Sequence, residues 1–135
     1  MMQTLRCASD TVVDVEETEL SWSTYGDSVA FRVSTLRRGL GITQFELAER
    51  SGVSRSEIQV IEYNRGPRRG EFANPTLQTI YRIAMGLGVH PIDLLPDAYR
   101  AIEPRSPEQA TNAARSLIED LLVDRLRLLM GHGAE

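Results

Sequence analysis

Lysine is absent from this sequence and cysteine is almost absent. All 15 basic residues of the 135 are arginine, and Cys7 is the single cysteine. One thiol cannot form an intrachain disulfide, so packing must stabilise the fold, and a reducing compartment suits the chain. The sequence also lacks the roughly 18 consecutive apolar residues of a membrane-spanning helix and the basic-then-apolar order of a signal peptide. We therefore expect a soluble, cytoplasmic protein.

Residues that carry catalysis or bind metal are scarce too. The sequence has no glycine-rich phosphate loop, no Ser/His/Asp set on plausible elements and no clustered carboxylates that would line a pocket. His90 and His132 are far apart, and with one cysteine they make no metal site. A chain of 135 residues is too short for a large α/β enzyme, although 41% hydrophobic residues suffice for a core. We expect no enzymatic activity, no cofactor and no metal.

The net charge of −4 is distributed unevenly. Residues 1–27 carry one arginine and six acidic residues, residues 28–100 carry ten arginines and seven acidic residues, and residues 101–135 carry four arginines and six acidic residues. These ranges are predicted to be an acidic N-terminal arm, a basic central domain and an acidic C-terminal segment. Within the arm, an extended piece around Val12 and a helix capped by Asp10 both remain open.

Two capping boxes predict a pair of short helices in the central domain. Thr43 and Glu46 stand three residues apart, as do Ser54 and Glu57, and in each pair the side chains can satisfy each other's exposed backbone N–H groups. Gly52 lies between the two boxes. This spacing predicts two short helices joined by a tight turn.

Three further short helices are predicted around the same core. Their start and stop signals are Asp27 or Ser28 with Gly39 for the first helix, Asn74 with Pro75 for the fourth, and His90 with Pro96 for the fifth. The residues between Asn64 and Asn74 include Gly66, Pro67 and Gly70, which predict a mobile basic loop.

A longer amphipathic helix is predicted near the C-terminus. A capping box at Ser106-Pro107-Glu108-Gln109 begins it, and it runs to about Met130. Arg125 falls inside its apolar face, whereas Leu126 and Met130 fall outside. Because the apolar residues follow no strict heptad repeat, we expect no long coiled coil. The helix is either a dimer contact or a sixth core helix. The predicted apolar face consists of Ala110, Ala114, Leu117, Ile118, Leu121, Leu122, Leu128 and Leu129.

The central residues resemble a known family. The resemblance, over about residues 28–97, is to the Cro/C1-type (Xre-like) helix-turn-helix family, which includes lambdoid phage repressors, many bacterial regulators and several antitoxins. It implies an all-α, five-helix, lambda-repressor-like domain that binds double-stranded DNA, to which the C-terminal helix is an addition. The matching residues are Gln44, Glu46-Leu47-Ala48, Gly52-Val53-Ser54, Ile58, Ile61-Glu62, Leu87-Gly88-Val89 and Asp93-Leu94-Leu95.

The third helix carries side chains that suit a DNA major groove. If Ile58 and Ile61 face the core, the opposite side presents Ser56, Gln59, Val60 and Tyr63, with Arg55 at the helix start. Arginine can donate two hydrogen bonds to guanine, glutamine can pair with adenine or reach a phosphate, serine can donate or accept, and valine can pack on a thymine methyl. For Tyr63 the alternative is packing at the helix end, and for Arg55 it is solvation beside an acidic residue.

The resemblance assigns roles to further residues. It implies that Gln44 contacts a phosphate and that Ser54, Arg55, Ser56 and Val60 read bases, with Gln59 beside them. It also implies an ion pair between Arg37 and Glu62 that ties the first helix to the third. In the loop that follows, the residues expected to clamp the sugar-phosphate backbone are Asn64, Arg65, Arg68 and Arg69.

These residues predict a sequence-specific transcriptional regulator that acts as a homodimer on DNA. A repressor of the phage-immunity type suits the small size and the lack of a ligand domain. The alternative is an antitoxin that binds a toxin partner and autoregulates through DNA. A helix-turn-helix unit used only for protein contacts is disfavoured, because its arginines would lack anions.

Overall fold

The computed structural model describes residues 19–134, which contain only helices and their connecting loops. No strand occurs in this range, so the predicted all-α class is confirmed. Within residues 19–134, five α-helices and two short 3₁₀ helices follow in the order α1 (Trp22–Gly39), α2 (Gln44–Ser51), α3 (Arg55–Tyr63), α4 (Leu77–Leu87), η1 (Pro91–Leu94), η2 (Pro107–Gln109) and α5 (Asn112–Ala134).

Helix α1 lies at the centre of the packing. Helix α3 packs against α1, α5 also packs against α1, and α2 packs against α3 and α4. Since α5 shares the core of the other four helices, the C-terminal segment contributes directly to the apolar burial that stabilises them. The largest fully buried apolar side chains come from all five α-helices and η1: Leu36, Leu47, Ile58, Ile61, Ile83, Leu94 and Leu122.

The predicted capping box of Thr43 and Glu46 is confirmed, whereas in that of Ser54 and Glu57 only one of the two predicted hydrogen bonds forms. Thr43 Oγ1 accepts from the Glu46 backbone N–H at 3.0 Å, and the Thr43 N–H donates to Glu46 Oε1 at 2.8 Å. That backbone donor lowers the pKa of Glu46. Ser54 Oγ likewise accepts from the Glu57 N–H at 3.1 Å. The Glu57 carboxylate, however, accepts from the Thr79 hydroxyl of α4 at 3.1 Å, so it links two helices instead of closing a local cap.

Helix α1 begins earlier than its predicted cap at Asp27 or Ser28. Its first residue is Trp22, whose indole N–H donates to the Ala73 carbonyl oxygen at 2.6 Å. One turn later, the Tyr25 hydroxyl donates to the Glu103 carbonyl oxygen at 2.7 Å, and burial raises the pKa of this phenol. These tertiary contacts stabilise an additional turn and a half that no local signal predicts.

The predicted starts of two later helices are also wrong. Thr76, not Asn74, caps α4, because its hydroxyl oxygen accepts from the Thr79 N–H at 3.1 Å. The predicted fifth helix does begin after His90, but it is only the 3₁₀ helix η1. The predicted capping box at Ser106 does not form, since Ser106 is buried and its hydroxyl hydrogen-bonds to the Ser28 and Asp97 side chains. A full α-helix begins only at Asn112, after η2.

Buried charges fasten the C-terminal segment to α1. Arg32 and Glu108 are each 6% exposed and form a bidentate pair, with Nε to Oε1 at 3.0 Å and Nη2 to Oε2 at 2.6 Å. Arg32 Nη1 donates to the Asp93 carbonyl oxygen at 2.9 Å, and Glu108 Oε2 also accepts from the Asp97 N–H at 2.8 Å. Arg125, predicted inside the apolar face of α5, pairs with Asp93 Oδ1 at 3.0 Å.

The apolar face of α5 differs from the predicted one. Leu122 and Leu126 are buried against α1, and Leu126 lies so close to Gly39 that a Cβ there would stand 2.5 Å from Leu126 Cδ1. Leu126 was predicted to lie outside the face, whereas Leu117, Leu121 and Leu128, predicted inside it, are exposed. Contact with α1 selects the buried side, and a helical wheel drawn for α5 alone cannot show which side that is.

The basic loop after α3 is closed by hydrogen bonds rather than open. Asn64 ends α3 in the left-handed conformation, with a φ of 54°, and its side chain is buried. Its amide nitrogen donates to the Ser23 carbonyl oxygen at 3.0 Å and to Asp27 Oδ1 at 2.8 Å, while its oxygen accepts from the Ala73 N–H at 3.1 Å. Asn64 therefore holds both ends of the loop against α1.

We expect Glu108→Ala to lower the free energy of unfolding by about 3 kcal/mol or more, because it leaves the Arg32 guanidinium buried without its charge partner. The matched control is Glu119→Ala, at an exposed glutamate of α5, which should cost less than about 0.5 kcal/mol. Urea unfolding followed by circular dichroism measures both. Equal midpoints for the two variants would contradict the structural role of Glu108.

Asn64→Ala should lower the free energy of unfolding by about 2 kcal/mol, since a buried N–H group and a buried carbonyl oxygen lose their partner. Asn74→Ala, at the exposed residue of the same type in this loop, should change it by less than about 0.5 kcal/mol. Thermal unfolding of the two variants measures the difference. A loss confined to Asn74→Ala would restore that residue as the cap of α4.

Candidate nucleic-acid interface

Helices α2 and α3 form the two helices of the predicted pair. Gly52 makes the turn between them with a φ of 74°, in the left-handed region that glycine adopts without a steric cost. Ile58 and Ile61 are buried, so the predicted orientation of α3 is confirmed. On its outer side, exposed or half-buried, lie Ser54, Arg55, Ser56, Gln59, Val60 and Tyr63. Which of them contact bases stays a prediction.

A polar network holds this outer side in place. Arg37 Nε donates to Glu62 Oε2 at 2.7 Å and Nη2 donates to Oε1 at 3.0 Å, which confirms the predicted ion pair between α1 and α3. Hydrogen bonding to Glu62 raises the pKa of Arg37. Gln44 Nε2 donates to the same carboxylate at 3.0 Å, and Gln59 Nε2 donates to Gln44 Oε1 at 3.3 Å. The two glutamines are therefore positioned by a charge that is itself fixed.

A shallow groove runs between the end of α1, the start of α2 and the outer side of α3. Its lining includes Gln44, Arg55 and Tyr63, all predicted, together with Arg38 and Phe45, which the sequence analysis did not single out. Both are exposed. Arg38 had a readable signal: it follows Arg37, whose side chain is directed inward by Glu62, and the next residue on a helix points about 100° away. Phe45 had none, because an apolar residue in a helix is normally expected in the core.

Tyr63 connects this groove to the loop that follows α3. It also lines the concave surface formed by residues 64–72, where Arg65, Arg68 and Arg69 are exposed. Among residues 19–134, none of these three arginines, nor Arg38 and Arg55, forms an ion pair with a carboxylate. We name Arg38, Arg55, Arg65, Arg68 and Arg69 the arginine band.

The side chain of Asn64 is directed away from the arginine band. Its side chain is 5% exposed and all its hydrogen-bonding atoms are directed toward α1 and Ala73. The prediction that Asn64 clamps the sugar-phosphate backbone is wrong for its side chain. The local sequence around Asn64 is equally compatible with a side chain that faces DNA and with one that caps the helix. The sequence alone therefore could not predict its orientation.

Within the part of the chain that the structure describes, no group of three or more His, Cys, Asp or Glu side chains is arranged to hold a metal ion. None of the helices in that part is long and apolar enough to cross a membrane.

Comparison with known proteins agrees with this geometry. A family model described as helix-turn-helix matches residues 33–94, from the middle of α1 to the end of η1. An uncharacterized HTH-type transcriptional regulator of Sinorhizobium fredii, y4dJ, is 39% identical over 67 residues, which are 50% of this chain and 78% of that protein. No solved structure matches the chain significantly. The chain belongs to the Cro/C1-type helix-turn-helix family.

Proposed function

We propose that this helix-turn-helix protein is a DNA-binding transcriptional regulator, and that it acts as a repressor by occupying an operator. The observation that carries the proposal is the arginine band beside the outer side of α3. Five exposed guanidinium groups without carboxylate partners in the described chain suit a polyanion, because phosphates along DNA bind cations by releasing counterions. The sequence relative is itself called a transcriptional regulator, which supports the same reading.

The proposal divides the site residues by task. Arg55, Ser56, Gln59 and Val60 enter the major groove and contact base edges, with Ser54 at the helix start. Gln44 lies at the start of α2, where a helix N-terminus favours a phosphate. Tyr63 lies between this surface and the loop. The arginines that meet the sugar-phosphate backbone are Arg65, Arg68 and Arg69, joined by Arg38.

A homodimer follows from the small size of one unit. A single recognition helix contacts few base pairs, whereas two copies related by a two-fold axis contact two half-sites about 34 Å apart. The protein then represses by the simplest route, occupying the site that polymerase needs. A repressor of the phage-immunity type can work in this way. We propose no catalytic role for the protein.

One observation favours a second candidate function, that of an antitoxin. Leu77, Tyr81 and Met85 stand four residues apart on α4 and are all exposed, which makes an apolar row outside the arginine band. A toxin could cover this row while the chain autoregulates through DNA. Co-expression with a small protein encoded beside this gene separates the two: a stable complex lost on Tyr81→Asp supports the antitoxin, and free components support the repressor.

We expect Arg55→Ala to lower the preference for operator over random DNA by about 1–3 kcal/mol, because a bidentate contact with guanine is lost. Arg68→Ala and Arg69→Ala should weaken both DNAs alike and flatten the salt dependence. Mobility shifts at several salt concentrations measure this, with Arg115→Ala, at an exposed arginine of α5, as the control. Full operator preference in Arg55→Ala would show that α3 does not read bases through this residue.

Deleting residues 1–18 should raise affinity for random DNA at low salt. The segment carries one arginine and four acidic residues, which repel phosphate, and the deletion stops before α1 begins at Trp22. The difference should vanish near 1 M salt, where the Debye length is about 3 Å. Fluorescence anisotropy with a labelled random duplex measures it. Equal affinity of both chains at low salt would refute a repulsive role for the arm.

A further inference from the structure

Helix α5 has a second apolar side that its own chain leaves uncovered. One side, with Leu122 and Leu126, is buried against α1. On another, Leu117, Leu121 and Leu128 are 69%, 53% and 62% exposed. Three exposed leucines on one helix are more than the scattered apolar residues of an ordinary surface, and they mark a contact with a partner.

These leucines belong to a heptad pattern. Ala114, Leu117, Leu121, Asp124 and Leu128 follow each other at alternating steps of three and four residues, which is the spacing of a coiled-coil seam. The pattern is hidden in the sequence, because Ile118, Leu122 and Leu129 lie beside it and belong to the side that packs on the core. Once those residues are assigned to the core, the remaining row is a seam of its own.

We propose that this seam pairs with the same seam of a second copy, with the two α5 helices antiparallel. Leu117 then faces Leu128 of the second copy, Leu121 faces Asp124, and Ala114 faces Gly131. This inference rests on the homodimer of the proposed function and specifies its contact. The occupant is a second copy because the register that faces leucine with leucine is self-complementary, as a two-fold interface requires.

Charge decides between antiparallel and parallel pairing. A parallel pair places Asp124 opposite Asp124 of the other copy, inside the seam, where like charges repel. The antiparallel pair separates these carboxylates and brings Asp120 opposite Arg127 of the other copy, once on each side of the two-fold axis. Arg127 already donates to Asp124 at 3.1 Å within its own chain, so it stands beside the seam.

The seam is short, which sets the expected strength. Residues 117–128 span about 16 Å at 1.5 Å per residue, so the pairing buries less area than a permanent dimer does. We expect a dissociation constant in the micromolar range, and two adjacent half-sites on DNA would favour the pair further by raising the local concentration.

Sedimentation equilibrium of the full chain without DNA tests the contact. The wild-type chain should show a monomer–dimer equilibrium, and Leu121→Asp should raise the dimer dissociation constant by about 100-fold or more, since two leucine contacts per dimer are lost. Val123→Asp, at an exposed apolar residue outside the seam, is the matched control and should leave the constant within about threefold. A monomeric wild-type chain, or equal effects of both variants, would overturn the proposal.

Disulfide trapping tests the direction of pairing. In a Cys7→Ser background, Leu117→Cys and Leu128→Cys are each oxidised alone and then as an equimolar mixture. In the antiparallel register, residue 117 of one copy lies about 16 Å from residue 117 of the other, which is beyond the reach of a disulfide. It faces residue 128 of the other copy instead. The mixture should therefore give a covalent dimer and the single variants should not. A covalent dimer of Leu117→Cys alone, or none in the mixture, contradicts the antiparallel seam.

Neither experiment contains DNA, so they separate this inference from the proposed function. A chain that dimerises through the seam but ignores DNA sequence would refute the regulator and keep the contact. A chain that binds its operator but stays monomeric would support the regulator and refute the contact. A seam covered instead by a different protein would appear as a monomer in sedimentation and counts against the proposal.

Discussion

Helix α1 has to bury two of its sides at once, and the rest of the molecule depends on that constraint. On one side Arg37 holds Glu62 of α3, and on the other Arg32 holds Glu108 of the C-terminal segment. A buried ion pair adds little net stability compared with apolar packing, but losing one partner is costly, so such pairs restrict which arrangements are allowed. Ion pairs with α1 therefore position both α3 and the C-terminal segment that contains α5.

This arrangement explains how a chain of net charge −4 can present a basic surface. Ion pairs with carboxylates of the fold are formed by Arg32, Arg37 and Arg125, whereas the five arginines of the arginine band are exposed around α3. The planar guanidinium suits both tasks, since it forms bidentate pairs with carboxylates and can do the same with guanine or phosphate. The acidic residues of 1–27 and 101–135 account for the negative total.

Local signals predicted the helix pair and long-range contacts explain the errors. Thr43, Glu46 and Gly52 act within one turn of the chain, so their effect could be read from the sequence. The true start of α1 depends on Trp22 meeting Ala73, 51 residues away, and Ser106 leaves its predicted cap for Ser28, 78 residues away. Asn64 was misassigned for the same reason. In each case a residue with a plausible local role found a stronger tertiary partner.

We propose that DNA is bound by α3 and the arginine band. Backbone NMR shifts on adding a duplex selected from random DNA test it most directly, since they report on every part of the chain at once. We expect perturbations concentrated in residues 38–45 and 54–72, with the core residues of α5 unchanged. Perturbations centred on the row Leu77, Tyr81 and Met85 of α4, with α3 unaffected, would contradict it.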